Sequence, residues 1–265
     1  MGRAEELRTA VRSETPLTVS VGVAVFPEHG LEGPDLVDGA AAALRWAKIH
    51  GKDRVETFSE EHRLHAGVEA EASDHRAQSH LASLRALAAA VDAREPETRY
   101  HSQGVAHLAV LVARKLGLPE ARVRLVEQAA LMHDIGKIGV TDGILTKPGR
   151  LTPQEFEQMK EHPVLGAQIV ASSALGVIAP WVRAHHERWD GTGYPGRLAA
   201  QSIPFEARIL SVCDAYEAMT SPRSYRSALS PAAALQEVDL NMGVQFDPEV
   251  AEVLIQVVRR SVDRP

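Results

Sequence analysis

The sequence predicts a mainly α-helical protein with a small partial α/β segment at its N-terminus. Three observations support this fold class. Apolar residues recur at spacings of three and four after residue 60, helix-start signals precede several of these stretches, and strand-like segments occur only within residues 15–58. With 265 residues, the chain is long enough for one large domain with a solid core or for two smaller domains.

The N-terminal segment combines a strand, a helix and a second strand. Residues 17–26 are rich in valine, residues 35–50 are rich in alanine and stop before Gly51, and the RVETF stretch after them is typical of a strand. The segment resembles the C-terminal end of a GGDEF domain, the fold that makes cyclic di-GMP, which ends with a similar SxGxAxxP strand and AK..G..RV stretch. Because the signature loop of that family is absent, the resemblance implies that residues 15–58 are a truncated remnant without cyclase chemistry.

Helical periodicity extends from residue 60 onward. Residues 60–94 predict an amphipathic linker helix, since Leu81, Leu84, Leu87 and Val91 follow one another at spacings of three and four. Residues 101–116 predict a second helix, which ends at Gly117. Three further helix starts combine an N-cap residue with a first-turn proline, at Thr152-Pro153, Ser230-Pro231 and Asp247-Pro248.

Composition limits the classes of partner. The formal net charge of −6 and the isoelectric point near 6.1 argue against DNA or RNA as a partner. Cys213 is the only cysteine, so the sequence holds no internal disulfide, and the cytoplasm is the expected compartment. No apolar run approaches the roughly 18 residues that a transmembrane helix needs, so we expect no membrane segment.

A His-Asp pair marks the main candidate site. The stretch LMHDIGKIGV places His133 and Asp134 side by side where an apolar helix ends at Gly136. One nitrogen and one carboxylate suit a divalent metal, and the second carboxylate oxygen can bridge to another ion. Taken alone, such a pair is more often a helix-end histidine followed by a capping aspartate.

Other histidines and acids strengthen the metal interpretation. His185 and His186 are adjacent, so both can reach one target only if it is small and central, such as a metal ion. Asp214 lies in an otherwise apolar helix, where an unpaired carboxylate would be costly to bury. Glu97 lies one helical turn before His101, although an acid there also favours a helix N-terminus. The residues of the predicted metal site are Glu97, His101, His133, Asp134, His162, His185, His186 and Asp214.

From Glu95 to Val258 the sequence resembles the HD-GYP family of cyclic di-GMP phosphodiesterases, a branch of the HD phosphohydrolase superfamily. The motifs that carry this resemblance occur in family order: ETRYHS, HDIGKIGV, ILTKPGRLT, MKEHPVLGA, HHERWDGTGYPG, IPFEARILSVCDAYEAMTSPRSYR and FDPEV. The resemblance implies an all-helical HD-GYP domain over residues 95–265, preceded by the linker helix at 60–94 and the remnant at 15–58.

The resemblance also implies roles for individual residues. The first metal would be held by His101, His133, Asp134 and Asp214. Asp134 would bridge to a second metal that is also held by His162, His185 and His186, and Glu97 would help to bind a third. The implied catalytic residues are His133, Asp134 and Lys137, and the implied substrate contacts are Lys137, Tyr194, Arg223 and Arg226. The chain departs from the family at Arg197, which replaces a glycine, and at Glu217 and Met219, where the family commonly has Asp and Leu.

The implied function is metal-dependent hydrolysis of cyclic di-GMP to pGpG and on to GMP. Imidazole and carboxylate ligands without thiolates favour two or three iron or manganese ions over a structural zinc. A homodimer through the linker helix is a further expectation. Two alternatives stay open: a module that binds a cyclic dinucleotide with little turnover, and an HD phosphohydrolase that acts on another nucleotide.

Overall fold

The structure, a computed structural model, describes residues 2–94, 101–221 and 228–262. Helices dominate, and the two short strands of the described residues lie before residue 60, so the predicted mainly α fold with a small α/β segment is confirmed. The chain divides into two compact units, residues 1–78 and 79–265. The predicted segments 15–58, 60–94 and 95–265 remain a hypothesis about domain organisation.

The N-terminal unit contains a two-stranded parallel sheet joined by a helix. Val21 pairs with Val55 and Val23 with Thr57, and Ala42, Ala43 and Phe58 form a small core. The elements are α1 (Gly2–Glu14), β1 (Val21–Val23), α2 (Gly33–Ile49), β2 (Val55–Thr57) and the first part of α3 (Glu60–Arg94).

Two features of this unit differ from the sequence prediction. The first strand is shorter than the predicted residues 17–26, because β2 offers only three residues for pairing. Helix α1 is an additional element. It buries no residue, although its apolar residues Ala4, Leu7 and Val11 recur at the helical spacings of three and four.

The C-terminal unit consists of helices and connecting loops in its described residues. After the last part of α3 come α4 (His101–Lys115), α5 (Glu120–Met132), α6 (Asp142–Leu145), α7 (Pro153–Met159), α8 (His162–Ala171), α9 (Ala179–Ala184), α10 (Phe205–Thr220), α11 (Pro231–Leu240) and α12 (Pro248–Val262). Short 3-10 helices lie at Ile135–Gly139, Gly176–Ile178 and Ala200–Ser202.

One hydrophobic core joins these helices. Its most deeply buried side chains include Met132 in α5, Leu210 in α10 and Leu254 in α12. The apolar side of α3 contributes Ala88 to this core, and the predicted row of leucines packs against it. Polar residues lie at the edge of this core: His133 follows the end of α5, His162 begins α8, and His185 follows the end of α9. These residues belong to the candidate site.

The predicted helix starts in this unit are present. Thr152 and Glu155 form a reciprocal capping box at the start of α7, in which the Thr152 hydroxyl accepts from the Glu155 amide and the Glu155 carboxylate accepts from the Thr152 amide. The Ser230 hydroxyl accepts from the backbone of α11, and the Asp247 carboxylate accepts from the backbone of α12. In the part of the chain that the structure describes, no helix is both long and apolar enough to cross a bilayer.

The capping box provides a test of local stability. Thr152→Ala removes the hydroxyl that accepts from Glu155, so we expect the free energy of unfolding to fall by about 1 kcal/mol. Urea denaturation followed by circular dichroism measures the change. Thr141→Ala is the matched control, because Thr141 is the N-cap of α6 without a side-chain cap bond. An equal loss in both variants would contradict a specific contribution of the capping box.

Candidate metal centre

Seven of the predicted metal ligands come together in the C-terminal unit. They form two groups that share Asp134, and within each group the potential ligand atoms lie within 4.8 Å of one another. The first group is His101, His133 and Asp134, and the second is Asp134, His162, His185 and His186. Asp214 extends the first group, because its Oδ1 lies 3.1 Å from His101 Nε2 and 4.0 Å from His133 Nε2.

Three of the histidines are oriented by the same local contact. In each, ring atom Nδ1 lies within hydrogen-bond distance of the backbone carbonyl three residues earlier. A carbonyl can only accept, so Nδ1 carries the proton and Nε2 of the neutral ring presents a lone pair. The three bonds run from His133 to Ala130 (2.8 Å), from His162 to Met159 (2.7 Å) and from His185 to Val182 (2.6 Å).

These lone pairs converge on the Asp134 carboxylate. His162 Nε2 lies 3.2 Å and His185 Nε2 lies 4.0 Å from Asp134 Oδ1. The two Nε2 atoms are 3.4 Å apart, and as two acceptors they cannot bond to each other while both rings are neutral. Among the described residues the buried His133 Nε2 makes no hydrogen bond, and the nearest carboxylate oxygen to it is Asp134 Oδ2 at 3.3 Å. This convergence of nitrogen and oxygen acceptors fits a divalent cation.

Charge around Asp134 favours its ionised form. Lys137 Nζ lies 2.8 Å from Asp134 Oδ2. Burial would raise the pKa of Asp134, but the charge that His133 carries when protonated and the Lys137 ammonium outweigh burial and hold this pKa well below its usual range. The carboxylate is therefore available as a shared anionic ligand.

His101 is held between two carboxylates of α10. Its Nε2 faces Asp214, and its Nδ1 contacts Glu217. Burial lowers the pKa of His101, but the bonds to Asp214 and Glu217 outweigh burial and raise this pKa to about 10. A carboxylate on the outer nitrogen of a ligand histidine fixes the ring and increases its basicity, and Glu217 occupies this position.

In the second group the histidine pKa values are lowered, whereas that of His101 in the first group is raised. Burial, together with positive charge on neighbouring histidines, lowers the pKa of His185 far below its usual value. Burial and charge on His162 lower the pKa of His186 to about 3. Both rings are therefore neutral near pH 7, which is the form that binds a metal.

Gly136 allows α8 to approach the His-Asp pair. A Cβ atom at Gly136 would overlap the carbonyl oxygen of His162 and the amide nitrogen of Gly166. The 3-10 helix that follows Asp134 therefore packs directly on the first turn of α8. This close approach places His162 beside Asp134.

The Gly-Tyr-Pro loop, residues 190–198, is fixed next to the second group. Buried Glu187 accepts hydrogen bonds from the amides of Gly196 at 2.5 Å and Leu198 at 3.0 Å. The Tyr194 ring lies against His186, with 4.9 Å between the ring centroids. The predicted substrate contact Tyr194 thus borders the candidate metal centre.

A cavity of about 740 Å³ opens beside this loop. Its lining includes His186, Tyr194, Phe156 and Lys160. The Lys160 ammonium lies 5.3 Å from the centroid of Phe156 and 5.9 Å from that of Tyr194. The cavity therefore offers aromatic surface and positive charge next to a candidate metal ligand.

Three predicted site residues lie outside the described residues: Glu97, Arg223 and Arg226.

The structure also brings to the site two residues, Glu217 and Glu187, to which the sequence assigns no role there. Glu217 lies three residues after Asp214 on the same helix, a spacing that could have indicated a second inward-facing carboxylate. The role of Glu187 has no comparable local signal, because it depends on the path of the loop.

Comparison with known proteins identifies the family. Residues 76–250 match the HD domain family, and the chain belongs to it. A cyclic di-GMP phosphodiesterase response regulator, RpfG, from Xanthomonas campestris pv. campestris (strain 8004) is 41% identical over 177 residues, which cover 66% of this chain and 47% of that protein. A cyclic di-GMP phosphodiesterase from Thermotoga maritima is 39% identical over 173 residues, which cover 64% of this chain and 47% of that protein.

The chain thus spans about half the length of these curated relatives. A solved structure of a cyclic GMP-AMP specific phosphodiesterase from Vibrio cholerae has a TM-score of 0.52 with this chain at 18% sequence identity. The match covers 70% of this chain and 49% of that one, and it shows a shared fold.

The contact at Gly136 generates a prediction. In Gly136→Ala the added methyl group meets backbone atoms of α8 that cannot move aside, so we expect a loss of about 1–3 kcal/mol in stability and a clear loss of bound metal. Urea denaturation and metal analysis by mass spectrometry measure the two effects. Gly143→Ala is the control, because nothing lies within 4 Å of a Cβ there. Full metal binding by Gly136→Ala would show that the close approach is not required.

Proposed function

We propose that the chain is a metal-dependent phosphodiesterase of the HD-GYP branch that hydrolyses cyclic di-GMP. The observation that carries the proposal is the pair of ligand groups that share the buried Asp134 carboxylate. Two further observations support it: the Gly-Tyr-Pro loop borders the second group, and the similar proteins from Xanthomonas and Thermotoga are named cyclic di-GMP phosphodiesterases.

The donors among the described residues support two divalent ions, with iron or manganese preferred. The first would be held by His101, His133, Asp134 and Asp214, and the second by Asp134, His162, His185 and His186. Such ions would neutralise phosphoryl oxygens and lower the pKa of water. The donors are imidazole nitrogens and carboxylate oxygens without sulfur, which suits these metals.

Lys137 would act on the phosphate. Hydrolysis adds water to phosphorus and breaks the bond to a ribose oxygen, and negative charge develops on the oxygens around phosphorus. The Lys137 ammonium is 2.8 Å from Asp134 Oδ2, so it would pair with a phosphoryl oxygen of the bound substrate and keep that contact while this charge forms. Arg223 and Arg226 remain predicted substrate contacts on the basis of the sequence resemblance.

The cavity beside the loop would receive a base of the substrate. A phosphate bound at the second ligand group would lie next to His186, and Tyr194 and Phe156 line the same cavity. Aromatic side chains provide stacking surface for a purine. The Lys160 ammonium would contribute positive charge near the second phosphate or the base.

The alternatives predict different reaction products. A binding module would retain cyclic di-GMP without turnover, and an HD phosphohydrolase of other specificity would prefer another nucleotide. Incubation of metal-loaded protein with cyclic di-GMP, 3′3′-cGAMP or a mononucleotide, followed by chromatography, separates these cases. Linear pGpG formed fastest from cyclic di-GMP supports the proposal, and binding without hydrolysis would replace it with the binding module.

Residues 15–58 are proposed to be a GGDEF-like remnant without cyclase activity. The parallel arrangement of β1 and β2 around α2 supports this interpretation, because the resemblance lies in a strand, helix and strand.

A homodimer through the linker helix, residues 60–94, is a further proposal. Sedimentation of the full chain and of a variant with a polar substitution in that helix would test it.

The proposed metal ligands can be tested directly. We expect His133→Ala and Asp134→Ala to lose bound metal and to lower cyclic di-GMP hydrolysis by at least about 100-fold, since each removes a central ligand. His107→Ala is the control, because His107 is an exposed histidine on α4 outside the site. Metal content by mass spectrometry and product chromatography are the readouts. Normal metal content and activity in both site variants would refute the ligand assignment.

The end product depends on Glu97 in this proposal. Linear pGpG carries an additional terminal phosphate, so a third metal ion near Glu97 and His101 would help to hold it. We expect three metals and GMP as the final product in the natural chain. In Glu97→Ala we expect about two metals and accumulated pGpG. Time-resolved chromatography with metal analysis tests this, and identical product profiles would exclude the three-metal proposal.

A further inference from the structure

Arg94, at the end of α3, contacts the backbone that carries Lys137. Its guanidinium donates to the carbonyl oxygens of Lys137 at 3.2 Å, Ile138 at 3.4 Å and Val140 at 2.8 Å. It also contacts the Asp142 carboxylate, with Nη2 at 2.6 Å from Oδ1. One planar side chain therefore spans the end of the 3-10 helix Ile135–Gly139 and the start of α6.

The hydrogen bonds from Arg94 to the backbone carbonyls restrain this segment more than the ion pair with Asp142 does. The Asp142 side chain is 78% exposed, and ion pairs at such positions contribute little because water screens them. The Ile138 carbonyl lies at the C-terminal end of a short helix, a position where a cation is favourable. The Lys137 carbonyl also accepts from the Val140 amide at 3.0 Å, so Arg94 is a second donor to it. A guanidinium can reach several of these acceptors at once because its donors are arranged in a rigid fork.

The opposite side of the same segment is held by α8. Gly136 packs on the first turn of α8, and a Cβ at Gly139 would overlap the Leu165 side chain. The five-residue helix is thus confined by α8 on one side and by Arg94 at its end. Lys137 lies between these two restraints, with its ammonium directed to Asp134.

We propose that Arg94 is a positioning residue for Lys137, holding the Lys137 backbone so that the ammonium stays beside Asp134 and meets the substrate phosphate. The inference rests on the proposed function for the identity of the substrate. The contact between Arg94 and the 137–140 backbone can be tested without it. Arg94 itself makes no contact with the ligand atoms of the candidate metal centre among its described bonds.

Steady-state kinetics with cyclic di-GMP on the metal-loaded full chain provides the main test. For Arg94→Ala we expect KM to rise about tenfold, the size of a lost charge-assisted bond to phosphate, with kcat changed less than about twofold. Metal content should stay unchanged. Asp142→Asn, which removes the exposed charge and leaves the carbonyl contacts, should keep KM within about twofold of the natural chain.

Two variants separate positioning from a simple charge effect. Arg94→Lys keeps the positive charge for Asp142 but lacks the fork that reaches several carbonyls, so KM should stay raised. If Arg94 acts through Lys137, adding Arg94→Ala to Lys137→Ala should cause no further rise in KM. Rescue by lysine, or a further tenfold rise in the double variant, would overturn the proposal.

Hydrogen–deuterium exchange of the metal-free protein gives a readout that does not depend on activity. We expect faster exchange of amides in residues 135–142 in Arg94→Ala and Arg94→Lys. Arg85→Ala is the matched control, since Arg85 lies on the same helix and bonds to Gln128 on α5. Equal exchange in the Arg94 and Arg85 variants would overturn the proposal. Faster exchange in a chain that does not hydrolyse cyclic di-GMP would refute the proposed function and leave the restraint of this segment established.

Discussion

The arrangement of the C-terminal unit depends on one buried carboxylate, that of Asp134. His162 and His185 direct ring nitrogens toward its Oδ1, and His133 and Lys137 face its Oδ2. A buried negative charge surrounded by additional lone pairs is costly unless positive charge compensates it. Lys137 supplies part of this compensation, and the remaining convergent acceptors explain why the site is suited to divalent ions. The same carboxylate gives the two ligand groups a common member.

Backbone carbonyls at helix ends orient the imidazole rings. The last carbonyls of a helix lack helical partners, and here one carbonyl of α5 and one of α9 accept a hydrogen bond from the Nδ1–H of the histidine just beyond the helix. This contact satisfies an unpaired carbonyl and fixes the tautomer of the ring at the same time. The sequence consequence is a histidine at the point where an apolar helix ends, as at His133 after α5 and His185 after α9.

This local origin explains how much the sequence could predict. Helical periodicity, capping residues and the helix-end histidines are local patterns, so the mainly α fold and the places of His133 and His185 at helix ends could be anticipated. The grouping of these histidines around Asp134 is implied by the family resemblance. Local patterns do not predict contacts between segments that are far apart in the sequence. Glu217 meets His101 across 116 positions, and Arg94 meets the 137–142 segment across 43 to 48 positions. Their charges are visible in the sequence, but their partners depend on how the helices pack.

The Gly-Tyr-Pro loop shows how a departure from the family pattern can be accommodated. Arg197 replaces a glycine, yet its φ of 51° lies in the left-handed region that glycine adopts most readily. The conformation costs about 1–2 kcal/mol for a residue with a side chain, so other contacts must enforce it. Glu187 provides them by accepting from the amides on either side of Arg197. Since Glu187 directly follows His186, the residue that orders the loop is joined to a candidate metal ligand, and the loop and the metal centre are built from one continuous segment.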